Sequence, residues 1–504
     1  MTHYRNPILP GFYPDPSICR VGQDYYLVTS TFEYFPSIPV FHSKDLIHWR
    51  QVSHAVSRSH EIDLSRAHSL GGLYAPTIRY HQGWFYIVST NVLDGGHFLV
   101  KTQDPAGEWS APLWIELPTR HAMTFDPSLF FDDDGQVYFT CFTSDGIMQA
   151  LIEPDSGRLL TPPRRIADSM NGFTSEGPHL YKINGTYYLM TAEGGTEYGH
   201  MVSIYRASNP WGPFEPYPRN PILSHRSLHS PIQITGHGDL TQDPQGQWWM
   251  VFLGVRVNGY QPVHHLGRET FLAPVYWQED GWPRVAKVEL EMDAPLPAVH
   301  PSSCLPVRDD FDSPQLALYW NFIRNPEPES WCLRHRPGFL CLHGLPGNLS
   351  SIQPTAFVGR RQQHFEVQVR ALIEFSPQGE NEEAGLCIRM NEQHHYEIFL
   401  TRRSGATCLV VRRTIGTLSA ETACVPVPAS PLIVSIHADR DWYVLGWEQG
   451  EAFHPLDRAE TRYLSSEVAR SFTGVYFGMY ATGNGAFCAQ PAFFDWFDYL
   501  PQSH

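Results

Sequence analysis

No run in the 504-residue sequence approaches the ~20 consecutive apolar residues that a membrane-spanning helix needs. The opening MTHYRNPILPGFYPDPS has no apolar stretch of signal-peptide length, so the chain as written is expected in the cytoplasm. Basic charge is scarce: 36 Lys and Arg stand against 52 Asp and Glu, a formal net charge of -16. Without a basic field to draw in phosphate backbones or anionic lipid, neither nucleic acid nor membrane is expected as a partner. The cysteines, at 19, 141, 304, 332, 341, 387, 408, 424 and 488, are odd in number and lack CxxC spacing. They read as reduced, mostly structural thiols rather than a zinc centre or a disulfide framework.

Aromatic residues are plentiful at 13%, beside 39 Gly and 42 Pro, a mixture that suits many short strands and turns better than long helices. The length implies at least two domains. A turn followed by an aromatic strand recurs five times, as GQDYYLVTST (22–31), QGWFYIVST (82–90), DGQVYFTCF (134–142), NGTYYLMTA (184–192) and QGQWWMVFL (245–253). Tyr26, Tyr86, Tyr138, Tyr188 and Trp249 mark the copies at intervals of 60, 52, 50 and 61 residues, room for one four-stranded sheet each. The expected fold is all-β: a five-bladed β-propeller over 1–298. A Pro-rich linker over 299–308 follows, and the alternating segments of 309–504 read as a β-sandwich.

Ahead of each aromatic strand lies a short segment, DPSI (15–18), APTI (75–78), DPSL (126–129), EGPHL (176–180) and HGDL (237–240), expected to be the innermost strand of its blade. Asp15, Ala75, Asp126, Glu176 and His237 stand 11 or 12 positions before the markers, with Glu176 offset by one residue from its apolar anchor. Radial symmetry would bring the four ionisable ones to one mouth of the channel. An isolated Asp-Pro usually opens a turn, but Asp15 and Asp126 share an upstream aromatic and the same DPS core. Asp132, Asp133 and Asp134 read as a solvated hairpin turn.

Three carboxylates and a histidine at one mouth suit proton transfer. Inverting hydrolysis of a glycoside needs a protonated carboxyl for the leaving oxygen and an ionised one to activate water, about 6.5–9.5 Å apart. A third carboxylate keeps the acid's pKa high by like-charge repulsion. Phe32, Tyr74 and Phe125 are candidates to line a sugar pocket, and Arg268 to hold adjacent hydroxyls. His237 reads equally as a packed core histidine or as a channel residue that holds a divalent ion through water.

The motifs NPILPGFYPDPSI, GGLYAPTIRY, TFDPSLFFDDDG, TSEGPHLYK, ITGHGDL and LGRETFLAPVYW, in this order, resemble glycoside hydrolase family 43. The closest likeness is to its β-xylosidases and α-L-arabinofuranosidases with a C-terminal β-sandwich, and it extends to the closing GMYATGNG and FDWFDYL. The resemblance implies an inverting exo-glycosidase that releases terminal β-D-xylose or α-L-arabinofuranose from xylo-oligosaccharides or arabinoxylan fragments. It casts Asp15 as general base, Asp126 as the carboxylate that tunes and orients the acid, and Glu176 as general acid. Arg268, Phe32, Tyr74, Phe125 and His237 would contact substrate. No cofactor is required on this reading, and Ca2+ in the propeller channel near His237 is its one optional ion. The sandwich resembles a lectin-like module expected to close part of the pocket. An endo-acting arabinanase and a non-catalytic carbohydrate-binding protein are the competing readings, and a homo-oligomer is compatible with either.

Overall fold

Each of the five aromatic strands pairs antiparallel with the segment ahead of it: Tyr26 faces Cys19, Tyr86 faces Arg79, Tyr138 faces Phe130, Tyr188 faces Tyr181 and Trp249 faces Thr241. The computed structural model describes residues 2–118, 123–168, 174–294, 306–428 and 431–502. Within it each hairpin grows outward into one blade, giving five sheets of four or five strands in sequence order. Blade one is Ser17–Val21, Asp24–Val28, Ser37–Ser43 and Arg50–Val56, and blade five ends with Glu269–Trp277 and Pro283–Val285. The ring is closed by its N-terminal segment. Thr2–Arg5 pairs with Glu291–Ala294, and the Asn6 side chain exchanges hydrogen bonds with the Leu272 backbone of blade five.

The leading strands are the innermost ones, as their cross-blade bonds show. Asp239 of blade five takes Ser17 of blade one at 2.7 Å and Arg79 of blade two at 2.8 Å. Thr77 of blade two donates to the Pro127 carbonyl of blade three. Buried hydrogen bonds from one inner strand to another therefore tie the blades together at the hub. Asp132 corrects the sequence reading in the same way. It is buried, and it receives Lys182 at 2.8 Å and Tyr187 at 2.6 Å from blade four, while Asp133 and Asp134 are exposed in the turn.

The C-terminal region is a sandwich. An eight-stranded sheet is built on Val367–Glu374 and Ala492–Pro501, and a six-stranded sheet on Glu383–Asn391 and Tyr476–Thr482. Apolar side chains alternate into the space between them, as in Val367, Val369, Ala371 and Ile373. Most of the expected linker, 299–305, lies outside the described residues. The sandwich also docks on blade one: Phe322–Ile323 pairs with Tyr34–Phe35, the Tyr34 and Tyr476 rings stack at 3.8 Å, and buried Arg389 reaches Glu33 at 3.1 Å. No helix among the described residues is long and apolar enough to cross a membrane.

Candidate active site

In three blades the inner strand breaks its ladder at the same place. Register shifts fall between Phe125 and Ser128, between Glu176 and His179, and between Gly236 and Asp239. One residue at each break takes left-handed backbone: Asp126 at φ 52°, Gly177 at 54° and His237 at 46°, with Asp15 at 55° just before the strand of blade one. A bulge re-aims a side chain, and left-handed backbone at a non-glycine residue stores ~1–3 kcal/mol of strain of the kind concentrated at functional sites. Blade four shows why Glu176 is offset. A Cβ on Gly177 would lie 2.9 Å from the His237 ring, so no side chain fits the equivalent position and the carboxylate stands one residue earlier.

The three bulges, and the left-handed residue ahead of blade one's strand, bring Asp126, Glu176, His237 and Asp15 to one cavity of about 370 Å3. Phe32, Tyr74, Phe125 and Arg268 line it too, so every candidate residue of the sequence reading meets there. Asp15 is buried, its Oδ1 accepting Arg268 Nη1 at 2.7 Å and its Oδ2 accepting Ser30 Oγ at 2.6 Å. Burial pushes its carboxyl up, but the Arg268 guanidinium, His237 and the Ser30 bond together outweigh it and hold Asp15 below its ordinary value.

Glu176 has the opposite fate. Burial and then the Asp15 charge raise it to about 7, with Arg268 pulling back. Asp126 is raised well above its ordinary value by burial, by Glu176 and by Asp15, although its Oδ2 accepts the Gly177 N–H at 3.1 Å. Asp126 and Glu176 titrate as a unit that keeps a proton near neutrality while Asp15 is ionised. The Gly177 bond also ties Asp126 to the peptide that carries Glu176. His237 Nδ1 is 3.8 Å from Asp15 and 3.9 Å from Asp126, beyond hydrogen-bond length, and burial lowers its pKa against the pull of Asp15.

The aromatic residues form one wall. Phe32 and Tyr74 have ring centroids 4.9 Å apart, Tyr74 and Phe125 5.6 Å, and the Tyr74 hydroxyl is fixed by donating to the Leu70 carbonyl at 2.7 Å. Arg268 packs against both the Phe32 and Phe472 rings and is buried, so it is no surface charge. Phe472 itself escaped the sequence reading. It comes from the sandwich, and its carbonyl accepts Arg268 Nε at 3.3 Å across 204 residues of chain. Thr196, which accepts Arg268 Nη1 at 3.1 Å, was equally hidden, since it occupies no repeat position.

Below His237 the channel holds His179 and Arg79. The Arg79 guanidinium can only donate, so His179 Nδ1 at 3.0 Å accepts and the His179 proton sits on Nε2, which has no protein partner. Asp239 is saturated by Arg79, Ser17 and Tyr181. Calcium takes six to eight oxygen ligands, and these residues offer a donor and a cation instead. An ion in this channel would have to be held chiefly by water, with His237 as its protein contact.

One carboxylate kept ionised and another kept protonated in an aromatic-walled pocket is the division of labour of an acid–base glycosidase. Comparison with known proteins agrees. Residues 4–283 match the profile of Glycosyl hydrolases family 43, and residues 308–500 that of the beta xylosidase C-terminal Concanavalin A-like domain. A non-reducing end alpha-L-arabinofuranosidase of Bacteroides ovatus is 45% identical over 98% of this chain and 94% of its own length. A xylosidase/arabinosidase of Butyrivibrio fibrisolvens is 35% identical over 96% and 97%. Among solved structures, a xylan beta-1,4-xylosidase of Bacillus halodurans superposes with a TM-score of 0.90 at 33% identity, covering 98% of this chain and 99% of the other. The chain belongs to glycosyl hydrolase family 43.

Proposed function

We propose that this enzyme removes terminal α-L-arabinofuranosyl units, and β-D-xylosyl units as a second substrate, from xylo-oligosaccharides or arabinoxylan fragments, with inversion at the anomeric carbon. The observation that carries the reading is the split in protonation between Asp15 and Glu176 within one pocket. Asp15 takes a proton from water as the water oxygen bonds to the anomeric carbon. Glu176 gives its proton to the leaving oxygen as the glycosidic bond breaks. Asp126 accepts the Gly177 N–H and so orients the peptide that carries Glu176. Arg268 fixes Asp15 and, lining the same cavity, offers its guanidinium to sugar hydroxyls.

Arabinofuranose is placed first because the Bacteroides relative, at 45% identity, is a non-reducing end arabinofuranosidase. Exo action is supported by cavity size, near the low end of the ~300–1,000 Å3 usual for ligand sites, and by Phe472, which bounds the cavity from the sandwich. The test compares nitrophenyl α-L-arabinofuranoside with an arabinofuranosyl-substituted xylo-oligosaccharide. Nitrophenolate leaves without much protonation, so Glu176→Gln should spare the nitrophenyl substrate and lose about 10²–10⁴-fold on the oligosaccharide. Asp15→Ala should lose similarly on both. Equal losses for Glu176→Gln on both substrates would sink the assignment of the acid, and oligomer ladders from arabinan would replace exo by endo action.

A further inference from the structure

Outside the pocket, one cluster of ligand-type side chains among the described residues is tight enough to share a metal ion. The ligand atoms of His335, Cys341 and His343 all lie within 4.8 Å of one another. They occupy the edge of the eight-stranded sheet, where Trp331–Cys332 pairs antiparallel with Leu340–Leu342. Cys341 and His343 are two apart along the chain and so project from the same face, and Cys332, directly opposite Cys341 in the register, projects from that face as well. His335 comes from the loop that joins the two strands. The spacing is C-x2-H-x5-C-x-H.

Distances fit a tetrahedral centre. With metal–sulfur bonds of ~2.3 Å and metal–nitrogen bonds of ~2.0–2.1 Å, adjacent sulfur and nitrogen ligands stand roughly 3.5 Å apart. Cys341 Sγ and His343 Nε2 are 3.4 Å apart, and the His335 and His343 rings have centroids 5.9 Å apart. Burial is graded from Cys341, which is buried, through His343 to His335, which is exposed, so an ion has a way in from solvent. Phe493 packs on the His335 ring at 5.7 Å and limits its swing.

We propose that His335, Cys341 and His343 form a binding site for a thiophilic transition-metal ion, zinc by preference, with Cys332 next in line as a fourth ligand. On binding, the Cys341 S–H bond breaks, a sulfur–metal bond forms and the proton leaves to water. None of the four residues lines the catalytic cavity, and loading the site should leave glycoside hydrolysis unchanged.

Cobalt(II) titration of the reduced, tag-free full chain tests this. One equivalent should produce a thiolate-to-cobalt charge-transfer band with tetrahedral d–d bands, displaced by one equivalent of zinc. Cys341→Ser should abolish the charge-transfer band and His343→Ala should weaken binding at least tenfold, both with wild-type hydrolysis as proof of folding. No such band with wild type, or a band that survives Cys341→Ser, would overturn the proposal.

Discussion

Glu176→Gln should make the protein more stable as it makes the enzyme worse, and the gain should depend on pH. The folded carboxyl is raised from 4.5 to about 7. A folded value above the unfolded one means that the native state binds the extra proton between those pH values, so its stabilising contribution is complete below 4.5 and is lost as pH rises through 7. At 1.36 kcal/mol per unit, the loss is about 3 kcal/mol, an upper figure because Asp126 shares the proton. Glutamine is neutral throughout and escapes this loss. Measured against wild type by thermal unfolding from pH 4 to pH 8, the variant should gain ground steadily, by up to roughly 3 °C at about 1 °C per kcal/mol for a 504-residue chain. Parallel stability–pH curves for the two proteins would refute the claim that Glu176 holds its proton by burial beside Asp15.

The remaining predictions concern the same pocket. In wild type, kcat/KM should be flat below neutrality and fall about tenfold per pH unit above about 7, where Glu176 ionises, while the acid limb lies below the ordinary value of Asp15; this is read from a pH–rate profile. Arg268→Ala removes the charge that lowers both carboxyls, so both limbs should move to higher pH and kcat should fall. Phe472→Ala deletes a ring that bounds the pocket but keeps the carbonyl that holds Arg268, so KM should rise about tenfold or more with a smaller change in kcat. Chelation should leave kcat/KM unchanged, since Arg268, Ser30 and Gly177 hold the acid and base in place; loss restored by Ca2+ would instead place an ion beside His237.

The blades were legible because each repeats the same local event, a turn and an aromatic strand, and local events leave periodic traces. Asp15 and Asp126 were legible because both left-handed residues share a sequence, DPS after an aromatic. The offset of Glu176 was visible as an anomaly, but its cause, the His237 ring against Gly177, needs two blades in contact. Asp132 misled because a run of acids before glycine looks solvated, and its partners Lys182 and Tyr187 belong to the next blade. Phe472 and the Arg268–Asp15 pair were out of reach for a related reason: contacts across more than 200 residues have no signature in spacing. The cysteines at 332 and 341 acquire their company only when the hairpin forms.

The central claim is that Asp15 drives water onto the face opposite the bond that Glu176 protonates. Proton NMR in the first minutes of hydrolysis of an α-L-arabinofuranoside tests it directly. The account predicts β-L-arabinofuranose as the first sugar to appear, with the α anomer growing in only by mutarotation. The α anomer appearing first would mean that the configuration is retained and that Asp15 does not act as a base on water.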